Sequence, residues 1–256
     1  MGKSKLGGGG GSSLHFPIES AFRMPGAQQP VTGINWYQNL PGWFYYFEDF
    51  LWDEFDIAEH PLAIYDASAA GTPTTGLIAD AVGGQFQIQL ASTSEAELVG
   101  LTMNNNLYIQ GNKPFIFEAR VKTVHTMATA QNIVIGLASD VDTSTLDNFT
   151  RNIWFRQSAA VDLHTEFDDN TTDTDDQDSG LDITAGAFYG YRIEFDGSIA
   201  RMSTWDALGE NFKTWARYSP AFGANNLQPV ILAQKTSGTS QPELSVDYLA
   251  FAGVRV

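Results

Sequence analysis

The segment Phe115–Lys122 constrains the fold more than any other part of the chain. Phe115, Phe117, Ala119 and Val121 alternate with Ile116, Glu118, Arg120 and Lys122. Period two is the signature of a strand with one buried face and one mostly wet face. Similar runs follow at Phe86–Leu90, Asn132–Ala138, Asn152–Gln157, Tyr189–Phe195, Ile199–Trp205, Pro229–Lys235 and Leu244–Phe251. Turn clusters separate them, among them Gly83-Gly84, Asn104-Asn105-Asn106, Asp196-Gly197 and Ser237-Gly238. Short strands divided in this way predict an antiparallel β-sandwich or barrel. Helical periodicity is scarce. Ser94–Glu97 fits a helix capping box, but Gly100 stops it, so one turn is expected there.

The chain divides by composition. Residues 1–42 hold Gly7 to Gly11 in a row, prolines at 17, 25, 30 and 41, and three cations (Lys3, Lys5, Arg23) against Glu19. They read as an extended arm. Residues 43–256 read as the β-sandwich body. The opening lysines have no apolar core behind them, so they are not expected to act as a secretory leader. No apolar run approaches the length that spans a membrane as a helix.

Charge and residue types exclude several functions. The net charge is −16, and a phosphate-binding face needs a basic patch, so nucleic acid is not an expected partner. There is no cysteine, which removes thiol enzymes and cysteine-bound metals. The four histidines, His15, His60, His125 and His164, form no metal-binding pair at helical spacing. Glu166-Phe167-Asp168 and Glu194-Phe195-Asp196 approach the Glu-x-Asp-x-x-Glu string of β-sandwich glucanases. Thr171 and Ile199 stand where the third carboxylate belongs, so a hydrolase is not expected.

Two segments could bind something. Asp162 to Asp182 carries nine acids and no lysine or arginine. Asp173, Asp175, Asp176 and Asp178 could offer oxygens to calcium, but Gln177 and Ser179 break the Asp-x-Asp-x-Asp-Gly order, and a solvated surface loop is the simpler expectation. From Trp36 to Phe55, ten of twenty residues are aromatic. Consecutive aromatics in Trp43–Phe47 leave both faces of a strand apolar, so one face needs a second cover. Leu14, Phe16, Ile18 and Phe22 of the arm, with Trp36, Tyr37, Trp43 and Tyr45, are the candidate partner-binding residues.

Several motifs resemble a known family. Phe115–Val121 (FIFEARV), Tyr189–Asp196 (YGYRIEFD) with Arg201–Asp206 (RMSTWD), and Ser245–Tyr248 (SVDY) resemble, in order, strands of concanavalin-like jelly rolls. The opener Glu48-Asp49-Phe50 fits the same pattern. With Asp80-Ala81-Val82-Gly83-Gly84 before a strand and no catalytic triad, the chain is similar to capsid decoration, or cement, proteins of tailed bacteriophages. That resemblance implies a non-enzymatic virion protein on the capsid exterior. It would bind the major capsid protein, form a homo-oligomer and need no cofactor. A carbohydrate-binding, lectin-like module for host adhesion is the alternative, and a glycoside hydrolase stands behind it.

Overall fold

The computed structural model describes residues 42–51 and 61–254, except 80, 82, 107–108, 129, 142–143, 159–160, 207–208 and 210. The chain divides into two units, Met1–Pro41 and Gly42–Val256. The arm expected over residues 1–42 lies outside the described residues apart from Gly42, and with it Leu14, Phe16, Ile18, Phe22, Trp36 and Tyr37.

Two antiparallel sheets make up the body. The first sheet runs, in spatial order, Lys213–Tyr218 (β14), Ala200–Trp205 (β13), Phe188–Phe195 (β12), Phe115–Thr123 (β7), Glu243–Val254 (β16), Phe86–Gln89 (β4) and Thr74–Leu77 (β3). Trp43–Glu48 (β1) pairs with the C-terminal half of β16. The second sheet runs Asp173–Asp182 (β11), Asp162–Asp168 (β10), Asn152–Ser158 (β9), Gln131–Ala138 (β8), Asn226–Lys235 (β15), Glu97–Thr102 (β5) and Ala63–Asp66 (β2). Ile109–Gln110 (β6) pairs with the start of β15.

The predicted alternation of β7 holds on its inner face. Phe115, Phe117, Ala119 and Val121 enter a core with Ile133, Ile135, Ile153, Phe155, Ile193 and Ile231. The outer face departs from expectation: Ile116 and Glu118 are buried as well. A second, smaller core lies on the far face of the second sheet. There Val134, Trp154, Val230 and Leu232 pack under Val141, Leu146 and Phe149 of the β8–β9 connection. Trp154 and Phe149 meet edge to face, with centroids 5.3 Å apart.

Two local expectations are corrected. Ser94–Glu97 starts no helical turn; Glu97 opens β5. Its carboxylate accepts the Ala91 amide and the Thr93 hydroxyl and pairs with Lys235 at 3.3 Å, both side chains fully buried. Glu97 thus ties β5 to β15, and tertiary pairing overrides the local capping pattern. Gly100 is required mid-strand because a Cβ there would lie 2.0 Å from the Ile231 carbonyl oxygen. Secondly, Asp173–Asp178 belongs to a strand and not a loop. β11 pairs with β10 through two register shifts, and Asp176 takes a positive φ of 47° at the irregularity.

Candidate functional site

The motif strands come together. β13, β12, β7 and β16 are consecutive in the first sheet. Register places Glu118 beside Arg192 and Ala250, and Ala250 beside Phe47. The next row holds Tyr45, Ala252, Ile116, Glu194 and Arg201. Pleating sends both rows to the face opposite the core. On that face Tyr248 donates its hydroxyl hydrogen to Glu118 at 2.6 Å. Arg192 lies 3.6 Å from Glu118 and pairs closely with Glu194. Glu118 is 2% exposed. Burial pushes its carboxyl up to about 7, against the pull of Arg192 and Tyr248. Arg120 pairs with Asp247 at 2.5 Å and covers the Phe188 ring. Of the predicted partner-binding residues, Trp43 and Tyr45 are half-buried on β1 at the margin of this face.

A second charged group sits on the outer face of the second sheet. Trp154 Nε1 donates to Glu166 at 2.6 Å, and Arg156 lies 3.3 Å from the other carboxylate oxygen. Arg156 also holds Asp147 at 3.2 Å and donates to Asn132. Burial again raises the carboxyl, to about 7 at Glu166. The two glucanase-like strings therefore lie in different sheets, on β10 and β12. Asp196 caps the β12–β13 turn by accepting the amides of Ser198 and Ile199. Among the described residues no group of three acids and histidines could hold a metal ion.

The opener and the double-glycine turn meet. Glu48 accepts the Phe50 amide at 2.8 Å, which holds Phe50 at a φ of 54°. Phe50 is 1% exposed and lies against Phe86 of β4, centroids 5.4 Å apart. Gly84, at φ 70°, passes so close that a Cβ would lie 2.4 Å from the Phe50 carbonyl oxygen and 2.6 Å from that of Asp49.

One site was not legible in the sequence. A polar depression of about 200 Å³ is lined by Ser139, Asp140, Asn148, Thr150, Arg151, Asn225 and Asn226. The two ends of the β8–β9 connection and the start of β15, far along the chain, form it at one end of the second sheet.

No family model matches the chain, and no curated protein matches it. Solved structures do. A protein of unknown function from Shewanella oneidensis superposes with a TM-score of 0.57 at 13% identity, covering 83% of this chain and 87% of that one. Peanut lectin gives 0.53 at 8% identity over 83% and 97% of the two chains, and basic winged bean lectin 0.53 at 8% over 82% and 98%. The fold is therefore a concanavalin-like jelly roll, as the motifs imply. At such identities the likeness extends to the fold and not to function.

Proposed function

We propose that the chain is a non-catalytic structural protein of a tailed-phage virion. It decorates the capsid exterior and holds neighbouring copies of the major capsid protein through residues 1–42 and the aromatic belt between Trp36 and Phe55, which includes Trp43 and Tyr45. The observation that carries this reading is the seat formed by Asp49, Phe50 and Gly84. The glycine turn that the decoration-protein resemblance rests on is in contact with the opener of the general jelly-roll pattern, and the close approach accounts for Gly84.

The engagement of the buried carboxylates supports a non-catalytic body. A general acid or base must reach its substrate. Glu118 is 2% exposed, with Tyr248 on one oxygen and Arg192 3.6 Å from the other, and Glu166 is held by Trp154, Arg156 and the Asp176 amide. The described body exposes few large apolar side chains, Leu51 and Ile199. That favours adhesion through the apolar residues of the arm together with the aromatic belt. Burying a standard contact of about 1,600 Å² supplies ample driving force at roughly 25 cal/mol per Å² of apolar surface, before association costs.

Co-sedimentation with capsids of the encoding phage, stripped of this protein, tests the reading. The full chain should pellet with the capsids, and a chain lacking residues 1–30 should stay in the supernatant while keeping its β-sheet circular dichroism. Equal pelleting of both forms would refute the arm's role, and pelleting of neither would refute the capsid.

A further inference from the structure

The depression at the end of the second sheet is built from the exit of β8 (Ser139, Asp140), the segment entering β9 (Asn148, Thr150, Arg151) and the entry to β15 (Asn225, Asn226). We propose that it binds a carboxylate-bearing sugar unit, with Arg151 taking the carboxylate and the amides and hydroxyls around it taking the ring hydroxyls.

Arg151 carries the inference. Among the described residues Arg120, Arg156, Arg192 and Arg201 each have a carboxylate within 4 Å, and Arg217 is exposed in water. Arg151 is half-buried and has no ion pair among the described residues, and its Nε is buried without a hydrogen-bond acceptor. The enclosed Nε is out of a ligand's reach, but half-buried Arg151 lines the depression, and the paired terminal N–H groups of a guanidinium match a carboxylate. Asp169 feels the charge of Arg151, but its oxygens already accept the amides of Thr171, Thr172 and Ala221 at 2.7 to 3.0 Å. Asp169 is not among the residues that line the depression.

The remaining lining selects a sugar over a bare anion. Ser139 and Thr150 bring hydroxyls 3.4 Å apart. Asn225 spends its amide N–H on the Phe222 carbonyl, which leaves its oxygen as an acceptor. Asn148 and Asn226 add two further amides, and Asp140 adds a carboxylate that can only accept. Asp140 and the net charge of −16 repel a simple anion. A ligand must therefore repay that repulsion with hydroxyl donors to Asp140 and Asn225, which a uronic or sialic acid has.

Titration calorimetry of the full chain against oligosaccharides bearing glucuronate, galacturonate or sialic acid tests this. The arms are the same sugars as methyl esters, and sodium acetate alone. At least one acidic sugar should bind saturably, about tenfold or more tighter than its ester, and Arg151→Gln should cost about the same factor. Asp140→Asn should widen the preference for acid over ester. Unchanged thermal unfolding of both variants certifies their fold. No saturable binding by any acidic sugar, equal binding of the esters, or indifference to Arg151→Gln would overturn the proposal. Acetate binding as tightly as the sugars would reduce the site to a general anion contact and overturn it too.

Discussion

Replacing Gly84 by alanine tests the seat on which the functional reading rests. Two costs add at this position. The first is conformational: at φ 70° an L-residue is in the left-handed region, at about 1–2 kcal/mol. The second is steric. The new Cβ would lie 2.4 Å from the Phe50 carbonyl oxygen, about 1 Å inside ordinary contact, and the obstacle is backbone. The opener must back away and loosen Phe50 from Phe86, a strain of about 1–3 kcal/mol by analogy with overpacked cores. Gly238→Ala is the internal control. Its φ is 87°, but its Cβ would meet nothing within 4 Å, so only the first cost applies. Urea unfolding of the full chain should give a loss of about 2–5 kcal/mol for Gly84→Ala and about 1–2 kcal/mol for Gly238→Ala. In thermal unfolding each kcal/mol is about 2–4 °C for a body of this size. Equal losses for the two variants would refute the docking of the opener on the turn.

Other measurements follow from the buried charges. Glu118 and Glu166, both raised to about 7, hold their protons in the native state where the unfolded chain has released them. Stability should therefore fall as pH rises from about 5 to 7, by up to about 1.4 kcal/mol per pH unit for each group. Glu118→Gln should flatten the slope, and a urea midpoint higher at pH 7.5 than at pH 5 would contradict it. Asp169 and Asp196 work in the opposite direction. Backbone amides outweigh burial and hold both carboxyls low, so their stabilisation should be lost only as pH falls below the usual aspartate range. Lys235→Met should cost about 3–5 kcal/mol by stranding Glu97 in the core, and Glu97→Gln in the same chain should restore part of it. Additive losses in the double variant would show that the two residues do not act as a pair.

Legibility in the sequence followed side-chain alternation. β7, β12, β13, β15 and β16 announced themselves because alternate residues of each enter the core and are apolar. β11 did not, because its register to β10 shifts twice and aspartates, with low strand preference, occupy half of its positions. β5 was disguised: Glu97 imitates a helix cap, and Gly100 looks like a breaker when it is in fact a close approach to β15. The outer face of β7 read as wet because no sequence pattern shows that Tyr248 and Arg192 arrive over Glu118 from strands far along the chain. The polar depression was illegible for the same reason, since three turns assemble it.

The most direct test of the virion assignment is peptide mass spectrometry of gradient-purified particles of the encoding phage, quantified against the major capsid protein. The expected result is this chain at an abundance comparable with the shell subunit, released together with arm peptides by mild denaturant before the shell opens. Particles that carry the shell protein but none of this chain would contradict the assignment.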